Sequence, residues 1–197
     1  MVGQPPRRLA TWLTSFALLA CTIGCENREP PREDEPARVI IAPRAPEKPL
    51  EGELLLRAVL SLKKQLGAEL ALLELQAVPF GVSIQLAKGG KVVEYTYEES
   101  RSRSEPGKVF GPFEAGLLGQ GELERNLFPL GELDVHGIGK AFDVARRSVD
   151  PDDGVVERLL VRRFFPFGEG VRARIYVYSP RMPGSIDTNP NGIPLKR

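Results

Sequence analysis

The chain has 197 residues, 42% of them hydrophobic, and its 27 basic and 26 acidic side chains leave a formal charge of +1. So small a net charge gives no global electrostatic reason to bind nucleic acid or an acidic lipid surface. With two cysteines in all, disulfides cannot carry the fold, and stability must come from the hydrophobic core of one medium or two small domains.

Arg7 and Arg8 precede an apolar run over 9–20, which ends in small residues and in Cys21 and Cys25. A positive end, a short apolar middle and a small-residue exit read as an export signal over residues 1–24. The run is shorter than the ~20 residues a spanning helix needs. Leu18-Leu19-Ala20-Cys21 and Thr22-Ile23-Gly24-Cys25 both resemble the lipobox of bacterial lipoproteins. Cys25 is the preferred lipidation site and Cys21 the alternative. Cleavage at Cys25 discards Cys21 and leaves no unpaired thiol in an oxidising compartment. The resemblance implies a mature cysteine carrying several acyl chains, which hold a membrane firmly where one chain binds only marginally. It also implies a folded part outside the cytoplasm, in the cell envelope on the periplasmic side.

Residues 25–49 form a charged, Pro-rich tether that includes Pro30, Pro31, Pro36, Pro43, Pro46 and Pro49. Proline removes backbone donors and stiffens φ, so the segment is expected to be extended and semi-rigid. At ~3.1 Å per residue it would reach on the order of 70 Å. Val39-Ile40-Ile41 is its apolar patch.

The rest reads as an α+β fold of two diverged helix–strand–strand–strand halves, residues 50–100 and 133–197. Leu55, Ala58, Val59, Leu62 and Leu66 form one helical stripe, and Ile138, Ala141, Phe142, Ala145 and Val149 repeat its spacing. A strand-like run follows each helix and closes on Pro79-Phe80-Gly81 or Pro166-Phe167-Gly168. The tripeptides lie four residues further apart than the helices, and Pro151-Asp152-Asp153-Gly154 reads as the inserted turn. Val82, Ile84 and Leu86 alternate, Gly89-Gly90 turns, and Val93, Tyr95 and Tyr97 alternate again, a hairpin pattern. In the second half Val171, Ala173, Ile175 and Val177 alternate before a last strand through Ile186.

Between the halves, 101–132 is a Gly-rich connector, with a short helix expected over 122–128 and with Phe110, Phe113 and Phe128 packing it onto the sheet. A helix followed by three antiparallel strands, duplicated in an exported bacterial protein, resembles the PepSY-like and beta-lactamase-inhibitor-like arrangement over roughly residues 50–100 and 133–195. This resemblance is one of architecture, without a diagnostic motif. It implies, as an alternative role, an inhibitor that engages an exported hydrolase through a loop such as 107–121.

The chemistry-bearing residues mostly read as structural. His136, the single histidine, sits in the first turn of the second helix after the N-cap Asp134, with Val135 and Gly137 beside it in place of metal ligands. Asp150, Asp152 and Asp153 read as turn formers, as does Asp187-Thr188-Asn189-Pro190-Asn191-Gly192, whose Pro190 interrupts a calcium-loop spacing. No Gly-x-Ser-x-Gly elbow or phosphate loop is present, so a hydrolytic enzyme ranks third among the roles.

The candidate contact surface is Arg172, Arg174, Tyr176 and Tyr178, which strand alternation puts on the face opposite the apolar residues. Arg158, Arg162, Arg163 and Arg181 lie in or near the same sheet. Arginine and tyrosine are enriched at binding hot spots. The sequence therefore points to a non-catalytic binding or accessory module of the envelope. Its expected partners are the membrane, through lipid, and an envelope protein, with no nucleic acid, cofactor or metal.

Overall fold

The computed structural model describes residues 45–100, 105–116, 123–163 and 170–196. The signal, both cysteines, Val39-Ile40-Ile41 and Pro166-Phe167-Gly168 lie outside the described residues.

Helix α1 (Gly52–Leu66) has Glu53 in its first turn and Lys63 and Lys64 in its last, which complement the helix dipole. It stops at Gly67, whose φ of 104° suits glycine. Strands β1 (Ala71–Val78), β2 (Gly81–Lys88) and β3 (Lys91–Glu98) follow as an antiparallel meander. Gly89 and Gly90, both at positive φ, make the tight turn that the Gly-Gly pair predicts.

The connector holds more structure than expected. Strand β4 (Lys108–Glu114) adds to the edge of the meander beside β3. The expected short helix is α2 (Leu123–Asn126), followed by β5 (Phe128–Pro129), which pairs with β1. Phe128 is fully buried, as expected, but Phe110 and Phe113 stand exposed on β4. Gly111-Pro112 interrupts the apolar alternation there, which hides the strand from a period-two reading.

Helix α3 (Val135–Val149) begins at Asp134, whose carboxylate accepts a hydrogen bond from the Gly137 amide at 2.9 Å. Strands β6 (Val155–Arg163), β7 (Val171–Tyr178) and β8 (Gly184–Thr188) complete the described elements. The eight strands form one sheet, ordered β4-β3-β2-β1-β6-β7-β8 with β5 beside β1. Glu74 to Ala77 of β1 pair antiparallel with Leu159 to Arg162 of β6, which fuses the two meanders. The fold is thus α+β, with helices on a single antiparallel sheet. The connection 150–154 is one residue longer than its counterpart 67–70, so the turn at Pro151 is not a four-residue insertion. The segments differ in length further on, where β1 and β2 meet through Pro79 and Phe80 and 164–170 joins β6 to β7.

One core joins helices and sheet. Leu55, Ala58, Val59 and Leu62 of the first expected stripe are buried, joined by Leu54, with Leu66 at its margin. Ile138, Ala141, Phe142 and Ala145 do the same on α3, with Val149 at the margin. They meet Leu72, Leu75, Val82, Ile84, Leu159 and Ile175 from the sheet. The helices approach closely at Gly52 and Gly139, where a Cβ on Gly52 would lie 2.9 Å from the Gly139 Cα.

Ile175 has no exposed surface, so Ile175→Ala should cost about 3 kcal/mol of unfolding free energy through lost burial and a residual cavity. Tyr178→Ala, on the other face of β7, should cost no more than about 1 kcal/mol. Urea melts of both variants, compared at their midpoints, test the assignment of faces.

Candidate binding face

Alternation along β7 divides its side chains as the sequence predicts. Val171, Ala173, Ile175 and Val177 are buried, and Arg172, Arg174, Tyr176 and Tyr178 keep intermediate exposure on the other face. Register then extends that face across the sheet, because directly paired residues share a side. Arg158 lies opposite Tyr176, Leu160 opposite Arg174, and Arg162 opposite Arg172.

Two rows of paired residues show how the face is built. The first runs Glu94, Gln85, Glu74, Arg162, Arg172 from β3 to β7. The second runs Thr96, Ser83, Gln76, Leu160, Arg174, Asp187 from β3 to β8. Acidic and neutral polar groups occupy the β1–β3 side, and guanidinium groups dominate β6 and β7. Phe110 and Phe113 extend the face at the β4 edge, opposite Thr96 and Glu94.

Local contacts fix several of these side chains. The Arg158 guanidinium sits 4.0 Å from the centre of the Tyr176 ring, a cation–π arrangement. Arg174 makes a two-pronged contact with Asp187, Nε to Oδ1 at 2.7 Å and Nη2 to Oδ2 at 3.0 Å. These hydrogen bonds push the Arg174 pKa further up, and the group stays charged. Burial pushes the Glu74 carboxyl up, while Arg162, 3.6 Å away, pulls it back. The Gln85 amide donates to the Glu94 carboxylate at 3.2 Å.

The four predicted residues thus lie together on one strand face, and register adds Arg158, Arg162, Glu74 and Glu94. Strand pairing is the information a single-strand reading lacks. In chemical terms the β6–β7 patch offers planar guanidinium donors flanked by aromatic rings, a surface suited to carboxylates.

The remaining candidates lie elsewhere. His136 is exposed on the first turn of α3. Residues 108–114 of the segment expected as an inhibitory loop are strand β4. Asp187 belongs to β8, and the Asn189 side chain closes the following turn by accepting from the amides of Asn191 and Ile193, both at 3.0 Å. Among the described residues no group of three or more His, Cys, Asp and Glu could hold a metal ion. Nor is any described helix long and apolar enough to cross a membrane. A cleft of about 420 Å³ opens between the first turn of α1 and the middle of α3, with Leu50, Gly52, Gly139 and Phe142 in its lining. Neither His136 nor Asp152 lines it.

Behind the patch, Asp150 locks two turns together. It is buried, and its carboxylate accepts from Ser179 Oγ at 2.7 Å and from the amides of Asp152 and Asp153 at 3.2 and 3.1 Å. Arg181 pairs with Asp150, Asp152 and Asp153 at 3.4, 3.2 and 2.8 Å. The Asp–Asp–Gly turn is therefore structural.

No protein-family model, curated protein or solved structure matches this chain.

The Ser179 hydrogen bond, followed by those from the Asp153 and Asp152 amides and the field of Arg181, holds the Asp150 carboxyl below its usual range. A depressed carboxyl stabilises the fold above its unfolded pKa of ~4, and the contribution is lost as pH falls through the lower folded value. Asp150→Asn should therefore melt earlier at pH 7 and lose less stability on acidification than the wild type. Thermal melts between pH 7 and pH 2 measure both.

Proposed function

We propose that this chain is an exported, lipid-anchored binding module of the cell envelope, whose β6–β8 half recognises a carboxylate-bearing protein surface. The observation that carries the reading is the direct opposition of Arg162 and Arg172 on the sheet face turned away from α1 and α3. Two planar guanidinium groups side by side match the two-pronged geometry of a carboxylate. Arg158 stacked on Tyr176 supplies a preorganised aromatic platform beside them. The export signal, the lipobox-like cysteines and the Pro-rich tether agree with a module held near a membrane at variable distance.

The domain behind the face is read as two diverged helix–strand–strand–strand halves. Helices α1 and α3 have 15 residues each. Strands β1 and β6 each carry an irregularity at their start, between Leu72 and Glu74 and between Val156 and Arg158. With those irregularities aligned, Leu72, Leu75 and Ala77 correspond to Val156, Leu159 and Val161, all of them core residues. The two strands then pair about Gln76 and Leu160, with β2 and β7 outside them and β3 and β8 beyond. These correspondences support the reading of two halves, which differ in the charge they place on the face.

Crosslinking in intact envelopes, with mass spectrometry of the N-terminal peptide from the same sample, tests the reading. The expected result is an acylated Cys25 or Cys21 peptide together with one dominant crosslinked protein. Arg172→Ala with Tyr176→Ala should abolish that crosslink and lower the melting temperature by only a few degrees, through loss of a cation–π contact of about 1 kcal/mol. An unmodified N-terminus with an undiminished crosslink would overturn it. A collapse of stability would instead assign those side chains a structural role.

A further inference from the structure

The cleft of about 420 Å³ lies where the chain enters the domain, on the helix side of the sheet, and its volume is in the range of small-molecule sites. Its walls are apolar: Leu50 from the entering segment, Phe142 from α3 and Val156 from β6, all of them buried. Its lining also carries charge. Glu51, just ahead of α1, and Asp143 and Arg146, on α3, bring two carboxylates and one guanidinium to it. Gly139, Phe142, Asp143 and Arg146 fall at i, i+3, i+4 and i+7, so a single stripe of α3 supplies both the apolar wall and two of the charges.

Asp143 and Arg146 are spaced as opposite charges that meet along a helix, yet they do not pair. Arg146 turns its Nη1 to the carbonyl of Pro151 at 3.2 Å. Among the described residues, the carboxylates of Asp143 and Glu51 have neither an ion-pair nor a hydrogen-bond partner. The Pro151 contact uses one of the five guanidinium donors and holds the group in place, which leaves the others for a ligand. Such a lining selects for a molecule that carries both signs. A simple anion would meet two carboxylates, a simple cation would lie beside Arg146, and a neutral molecule would leave all three charges unmatched.

We infer that this cleft binds a small zwitterion with an apolar body, of the size of an apolar dipeptide. Its ammonium sits with Glu51 and Asp143, its carboxylate takes charge-assisted hydrogen bonds from Arg146, and its side chains lie against Phe142 and Val156. The length agrees. Residues at i and i+3 on a helix have Cβ atoms ~5–6 Å apart, and two extended residues span ~7 Å. Both termini of a free dipeptide are charged at pH 7. The site is separate from the open sheet face and does not depend on the reading of that face.

Titration of the isotope-labelled full chain in detergent with leucyl-leucine, followed by NMR, provides the test. The amides of Gly52, Gly139 and Gly154, which line the cleft, should shift saturably. The Leu50 amide, bonded to the Val156 carbonyl at 2.8 Å, should exchange its hydrogen more slowly, because both residues belong to the lining. N-acetyl-leucyl-leucine lacks the ammonium and leucyl-leucinamide lacks the carboxylate, and each should bind at least tenfold more weakly than the free dipeptide. Asp143→Asn should weaken the free dipeptide and leave the acetylated one unchanged, whereas Arg146→Gln should weaken the free dipeptide and leave the amide unchanged. Because each variant keeps its affinity for one ligand, a failure to fold cannot imitate the result. No saturable shift at millimolar dipeptide, shifts confined to the β6–β8 face, or equal affinity for the three peptides overturns the inference.

Discussion

The pairing of β1 with β6 is the interaction on which the molecule depends. Glu74 to Ala77 and Leu159 to Arg162 are far apart in sequence, yet their ladder turns two small meanders into one sheet. Neither meander with its helix would have a core of comfortable size. Fused, they form a floor broad enough for α1 and α3 to lie side by side and share the cluster that includes Leu62, Ile84, Phe142 and Ile175. The close approach of Gly52 and Gly139 follows, since two helices on one floor must touch. The entropic cost of closing so long a loop grows only slowly, by about 0.6 kcal/mol per doubling of length. A long connector between the halves is therefore tolerated thermodynamically, and part of it is used to fill the core with Phe128.

The same seam organises the outer surface. Glu74 and Arg162 face each other across it as an ion pair. Charge accumulates to either side: carboxylates towards β3, guanidinium groups towards β7. Arg174 pairs with Asp187 at the far edge, and Arg158 stacks on Tyr176 within the plane. Next to the seam, Arg162 and Arg172 lie directly opposite each other on β6 and β7.

Much of this could be read from the chain alone, for reasons that can be named. The two helices announced themselves through a complete apolar stripe, the central hairpin through Gly89-Gly90, and β7 through its strict alternation from Val171 to Tyr178. Strand β4 did not, because Gly111-Pro112 breaks its period, and its exposed phenylalanines resemble a core signal when burial is unknown. The irregularities at Leu73 and Glu157 shift the faces of β1 and β6 by one residue, and neither leaves a compositional trace. Of the candidate face, the part on β7 is legible in the sequence and the part supplied by neighbouring strands is not. Which residue lies opposite which is a property of register, and register is decided by the whole core.

The point where the chain enters the domain has a mechanical meaning. The amide of Leu50 donates to the carbonyl of Val156 at 2.8 Å, and Lys48 pairs with Glu99 at 3.2 Å while stacking over Phe80. A pull transmitted along the N-terminal segment would therefore arrive at β6, a strand held on both flanks, rather than at the edge strands β4 or β8. Edge strands peel off one hydrogen bond at a time, whereas an interior strand must shear its ladders together. Tension on that segment would load the sheet at its strongest member, and the contacts around Lys48 and Leu50 would yield before the sheet does.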